Sequence, residues 1–175
     1  NRPPDYFGLF AQRLDSSGGY LWDAAGVALS NETVSEHLSL ATLRDGDELV
    51  ALWHERRGSH FDTYAQRLDR QGNRLLGAAG ILIAGGLGDQ IYPRATLDRG
   101  HGMIVAWTNV RYSPYKFSLV AQHTDALGLR AWGTGGVELA SIGFGSEQAL
   151  ASDGRGGAFA AWVGCCVLDT PIHVV

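Results

Sequence analysis

Twenty residues from Ala11, AQRLDSSGGYLWDAAGVALS, return from Ala65 as AQRLDRQGNRLLGAAGILIA and from Ala121 as AQHTDALGLRAWGTGGVELA. The offsets are 54 and 56 residues. A repeat of this size constrains the fold more than any other feature. Each unit is one supersecondary piece, and its apolar faces must be buried against its neighbours. A second block shares the period: SLATLRDGDELVALW ends at Trp53, PRATLDRGHGMIVAW at Trp107 and QALASDGRGGAFAAW at Trp162.

The unit from Gly85 to Ala140 resolves into four short strands. Tyr92 to Leu97 is read as the first and Gly102 to Trp107 as the second, with Asp98–His101 turning between them. A longer loop is expected over Asn109–Lys116. Phe117 to Thr124 is the third strand, Asp125–Gly128 a tight turn, and Leu129 to Ala140 carries the fourth. Asp followed by Gly at turn spacing has a mechanism: the carboxylate accepts local backbone N–H groups, and Gly takes a positive φ without a Cβ clash. Strand-length stretches between such turns indicate an all-β chain with little helix.

A four-stranded meander repeated every fifty-odd residues fits the blade of a β-propeller. The phase then divides the chain into a half blade over 1–30 (strands three and four), blades over 31–84 and 85–140, and a half blade over 141–175 (strands one and two). About three blades fall short of the roughly four to eight that close a ring. The chain is therefore expected to be part of a larger ring, or to associate with copies that complete one. The alternative is a threefold fold of the β-trefoil or β-prism kind, with the terminal halves paired. Trp53, Trp107 and Trp162 are expected to end the second strands and to fill the wedge between sheets.

Composition agrees. Glycine, at 24 of 175 residues, is in excess because it recurs at turns such as Gly18/72/128 and Gly26/80/136. Hydrophobic residues at 45% supply a core. No apolar run is long enough to span a membrane as a helix. A net charge of −4 speaks against nucleic acid as the partner. The chain starts at Asn1 without a leader and stops in the strand-like Pro171–Val175, so both ends read as cut from something longer. Cys165 and Cys166 are read as opposite faces of one strand, since adjacent cysteines bridge only with strain. Asn31-Glu32-Thr33 matches a glycosylation sequon.

The units resemble the tandem repeats of secreted and surface-anchored bacterial proteins. In those, a strand ending in Trp continues as W-x-D-x-R, then a YAQR strand, then D-x-x-G-x-x-x-W-G. Trp53-His-Glu-Arg-Arg57, Trp107-Thr-Asn-Val-Arg111 and Phe61-Asp-Thr-Tyr-Ala-Gln-Arg67 carry the likeness, with Glu55 and Asn109 in place of the Asp. Trp162-Val-Gly-Cys-Cys166 has lost both the acid and the Arg. The resemblance implies a propeller-like, exported, extracellular or cell-surface protein and no particular activity. The turn is also similar to the Asp-box of sialidase propellers, which has tighter spacing.

No set of catalytic residues repeats with the units, and no catalytic residue, cofactor or metal site is expected. Asp45-Gly-Asp47-Glu48 reads as a charged β-turn rather than a Ca²⁺ loop, and His54 and His60 as exposed loop residues. The leading expectation is a non-catalytic propeller segment for binding carbohydrate or protein, or for surface structure. The alternative is part of a sialidase-like or other glycoside-acting enzyme, with Arg57 and Arg111 converging on a carboxylate and Glu48, Glu55 or Asp62 supplying acids. In the bland version of the motif, Arg and acid brace each blade. Candidate ligand-binding residues are His54, Glu55, Arg57, Asn109, Arg111, Tyr112 and Tyr115, on loops following the second strands. Exposed edge strands at both ends offer pairing to neighbouring blades or to other copies.

Overall fold

A computed structural model describes residues 8–31 and 37–164. Cys165, Cys166, Glu32, Thr33 and the Pro171–Val175 stretch lie outside these residues. Every regular element described is a β-strand. The strands are β1 (Phe10–Ala11), β2 (Val27–Ala28), β3 (His37–Asp45), β4 (Glu48–Arg56), β5 (Phe61–Leu68), β6 (Ile81–Ala84), β7 (Asp89–Leu97), β8 (Met103–Tyr112), β9 (Tyr115–Thr124), β10 (Val137–Ser141), β11 (Gln148–Ser152) and β12 (Ala158–Trp162). They form four antiparallel sheets in chain order: β1–β2, β3–β4–β5–β6, β7–β8–β9–β10 and β11–β12. Among the described residues the two two-stranded sheets do not pair with each other.

The turns form for the local reason their sequence suggests. Asp15, Asp69 and Asp125 each accept the backbone N–H groups two and four residues on, at 2.8 to 2.9 Å. Asp98 and Asp153 do the same at the first hairpins of their sheets. Three residues after each Asp the backbone turns left-handed. Gly18, Gly72, Gly128 and Gly156 hold that position, and His101 takes it in the remaining turn with φ 62°.

Alternation along β4 and β8 splits their apolar residues between two interfaces. Ala51 and Trp53 pack with Leu29, Val27 and Trp22, between the first and second sheets. Val50 and Leu52 join Met103, Val105 and Trp107 between the second and third. Ala106 and Leu119 meet Ile142 and Leu150 between the third and fourth. The core is thus three apolar layers between successive sheets. Strand β7 lies against β3, β4 and β5 on one side and β11 on the other.

Three expectations are corrected. First, Trp53 and Trp107 do not end their strands. Strand β4 continues to Arg56 because His54, Glu55 and Arg56 pair with Thr63, Asp62 and Phe61. Strand β8 likewise runs on to Tyr112. Second, the expected loop over Asn109–Lys116 is a hairpin. Arg111 pairs with Lys116 and Tyr112 with Tyr115, leaving only Ser113 and Pro114 to connect them. Third, Leu129–Gly136 holds one isolated bridge, Arg130 to Thr124, among turns and bends, and the fourth strand begins at Val137. Trp53 and Trp107 are buried between sheets as expected, but Trp162 is 41% exposed.

Candidate functional site: an aromatic rim at one end of the sheets

One end of the sheet stack carries the β4–β5 turn, the β6–β7 connection and the β8–β9 hairpin. Tight pairing through Tyr112 and Tyr115 places both rings at the tip, where both are exposed. Their centroids lie 6.2 Å apart. The row continues in both directions. His60 stacks on Tyr112 at 6.1 Å and 19°. Tyr115 meets Phe117 edge-on at 4.9 Å, and Phe117 meets the exposed Phe144 at 5.5 Å.

Asp89, at the start of β7, fixes this row. Its carboxylate accepts the Tyr112 hydroxyl proton and, at 3.0 Å, the backbone N–H of Phe61. Nδ1 of His60 lies 3.6 Å from the same carboxylate. The hydrogen bond to Asp89, with some burial, pushes the Tyr112 phenol up to about 12. Tyr112 therefore holds its proton and acts as a donor rather than as a phenolate nucleophile. His60, Leu87, Gly88, Arg111, Tyr112 and Ser113 line a cavity of about 240 Å³ beside the row. That is below the roughly 300–1,000 Å³ of pockets that enclose whole small molecules, so it suits one ring or side chain of a larger ligand. Larger hollows of about 430 and 550 Å³ flank the β1–β2 sheet, away from the rim.

The seven candidate residues separate into two groups. Arg111, Tyr112 and Tyr115 gather at the rim. The other four serve the sheets. His54 is 1% exposed, not a loop residue, and is packed edge-on between the rings of Phe61 and Tyr92. Burial holds its imidazole down at about 4, so it is neutral and its Nδ1 accepts the Tyr92 N–H. Arg57 bonds the fully buried Glu55, donates to Ala79 O at 2.7 Å and lies 3.8 Å over the Tyr64 ring. This is the brace between acid and Arg. Asn109 accepts from Gln90, whose Oε1 takes the Trp107 indole proton at 2.6 Å. Arg57 and Arg111 thus do different work.

Of the acids, Asp62 lies opposite Glu55 in register, and burial raises its carboxyl. Glu48 lies at the far end of the stack, where Arg67 donates to it at 2.8 Å and to Asp45 at 2.5 Å. The Asp45–Glu48 turn is therefore a charged hairpin closed by an arginine. Sequence reading missed Asp89, Leu87 and Phe144. The Gly85-Gly86-Leu87-Gly88-Asp89 run was the available signal: small residues let the chain turn and bring Asp89 to the tip.

No protein-family model matches the chain, and neither the curated proteins nor the solved structures give a significant match.

Proposed function

We propose that the chain is a non-catalytic β-propeller segment of an exported protein, and that its aromatic rim binds carbohydrate. The propeller part draws on the order of the sheets. Their first strands β3, β7 and β11 lie side by side in chain order, and the sheets stack face to face through apolar layers. The binding part rests on one observation: the rings of His60, Tyr112, Tyr115, Phe117 and Phe144 form a continuous row open to solvent at Tyr112, Tyr115 and Phe144. Aromatic faces offer apolar area to the C–H face of a sugar, while nearby Arg111 and the polar tips can bond its hydroxyls. Tyr112 is held in place by Asp89 before any ligand arrives, which lowers the ordering cost of binding.

A glycan array probed with the 175-residue chain tests this, followed by titration of the retained glycans. Tyr115→Ala is expected to weaken binding about tenfold or more with the fold intact. Retention that is indifferent to Tyr115, or turnover of chromogenic glycosides, would overturn the reading.

A further inference from the structure

We infer that the cleft between the second and third sheets, at the end opposite the rim, binds a small indole that carries an ammonium group. The observation is a ring that one interface supplies and the next lacks. Trp22, Leu76 and Trp132 hold the same place in the repeat. Their backbone N–H groups donate to the side chains of the equivalent glutamines, Gln12, Gln66 and Gln122, at 3.2, 3.0 and 2.8 Å. The residue before each also bonds alike: Leu21 donates to Arg13 O, Leu75 to Arg67 O and Ala131 to His123 O. The backbone is therefore held in the same way at all three places, and the side chain is what differs.

Between the first and second sheets the place is filled. Trp22 lies against the Asp69–Gly72 turn of the second sheet. Its Nε1 donates to Arg70 O at 3.0 Å, and a Cβ at Gly72 would stand 3.3 Å from its ring. Arg13 donates to the same carbonyl at 3.1 Å. Between the second and third sheets the Asp125–Gly128 turn comes in with the same closing bonds, both at 3.0 Å in each turn. Gly128 rests on Ile81 as Gly72 rests on Val27, but no atom of Leu76 comes as close to it as the Trp22 ring does to Gly72. Ala126 O stands where Arg70 O stands, and among the described residues it accepts no hydrogen bond. Arg67, the equivalent of Arg13, is engaged elsewhere, with Asp45, Glu48 and His101 O.

What the smaller side chain leaves is a cavity of about 320 Å³, walled by Leu75, Leu76, Ala126 and Leu127. Every wall comes from the two four-stranded sheets and their turns. The volume falls within the roughly 300–1,000 Å³ of small-molecule sites, which are mostly apolar with a few placed polar groups. An indole restores what Trp22 supplies next door: a flat apolar ring against the turn and an N–H for the Ala126 carbonyl. Leu75 and Leu127 are 44% and 69% exposed, and a ring seated between them removes that surface from water. Glu48 and Arg67 line the same cavity. Arg67 faces two carboxylates, Asp45 and Glu48, so these three groups carry one negative charge in excess. Asp45 is the more buried of the two acids and also holds His101 Nδ1 at 3.0 Å. Glu48 is the more exposed, and an ammonium on the ligand offsets the excess there.

Calorimetric titration of the 175-residue chain with tryptamine tests this, and saturable one-to-one binding is expected. Tryptamine methylated at its ring nitrogen has no N–H for Ala126 O and should bind about fivefold more weakly. Indoleacetate, with a carboxylate in place of the ammonium, should bind more weakly than tryptamine. Glu48→Gln should weaken tryptamine about two- to fivefold and leave unsubstituted indole unchanged. Leu76→Trp supplies the ring from the chain itself, so it should raise the denaturation midpoint and abolish tryptamine binding. Leu127→Ser alters an exposed turn position and should weaken tryptamine at least about threefold with the fold intact. Absence of saturation at millimolar tryptamine overturns the site, as does binding that survives Leu76→Trp or ignores Leu127→Ser. A Leu76→Trp chain that is destabilised or fails to fold shows that the ring does not fit and overturns it equally. Indifference to the ring N–H or to Glu48 overturns the assigned chemistry. The rim lies at the other end of the sheets, so glycan binding is read separately from all of these.

Discussion

The backbone N–H of Tyr92 donates to Nδ1 of His54 over 3.2 Å, from the first strand of one sheet to the second strand of its neighbour. Tyr92 sits at a bulge in β7 with φ 57°, a conformation uncommon for a bulky residue. A buried imidazole lone pair therefore holds a strained turn of the next sheet. The bond needs His54 neutral, and burial keeps it so by lowering its pKa to about 4.

Acid should weaken the fold through this residue. Between its unfolded value near 6.5 and about 4, the unfolded chain takes up a proton that the folded chain refuses. Stability contributed by His54 is therefore lost as pH falls across that window, by on the order of 3 kcal/mol in full. His54→Gln keeps an acceptor for Tyr92 but does not titrate. Urea unfolding at stepped pH should show a smaller slope between pH 6.5 and 4 for the variant. The raised carboxyl of Asp62 acts in the opposite sense and is common to both proteins. Equal slopes would mean that His54 does not carry the effect.

Glycines of similar φ should differ in what they tolerate. Gly77 has φ 77° and nothing within 4 Å of an added Cβ. Gly80 has φ 72°, with the Ala65 carbonyl at 2.7 Å and the Trp53 ring at 2.9 Å. Gly77→Ala carries only the left-handed penalty, about 1 kcal/mol. Gly80→Ala adds the steric clash, about 1–3 kcal/mol more. Denaturant midpoints separate the two, and equal losses would remove the cradle from the account of the core.

The two arginines near the Asp45–Glu48 hairpin should also diverge. Arg67 is 4% exposed; it bonds Asp45, Glu48 and the His101 carbonyl, tying the second sheet to a turn of the third. Removing its charge leaves the half-buried Asp45 with the His101 imidazole, 3.0 Å away, as its remaining side-chain partner, so Arg67→Met should cost about 2–3 kcal/mol. Arg70 and Asp47 stand 3.6 Å apart with both side chains mostly exposed. Arg70→Met should lie within about 0.5 kcal/mol of wild type. Thermal melts of both variants decide it.

Alkaline titration should pick out Tyr112. The hydrogen bond to Asp89 keeps the Tyr112 proton on until about pH 12, so its stabilising effect is present below pH 10 and is lost as pH rises through 12. Phenolate absorbance should include a step near pH 12 that Tyr112→Phe removes. A step that persists in the variant would assign the shift elsewhere.

The turns were legible from sequence because their chemistry is local. An Asp carboxylate two and four residues from the N–H groups it accepts needs nothing from the rest of the chain. Strand ends were less legible. His54-Glu55-Arg56 looks like a polar loop after Trp53, yet it stays paired because each polar group finds a partner across the sheet or between sheets. The rim was half legible. Tyr112 and Tyr115 are close in sequence, but Asp89 is 23 residues away from Tyr112 and reaches it only through the pairing of β7 with β8.

The sequence by itself determined the all-β character, the positions of the Asp-Gly turns and the burial of Trp53 and Trp107 between layers. Those follow from short-range hydrogen bonding, glycine geometry and two-residue alternation. Only the tertiary structure decided which arginine braces a buried acid and which reaches the rim, and that His54 is sealed inside while His60 is not. Arg57 and Arg111 occupy the same place in similar motifs. Their roles differ because Glu55 is buried beneath one, whereas the β8–β9 hairpin carries the other past the end of the stack. Burial is set by what packs above a residue, and a residue's neighbours in space are not its neighbours in sequence.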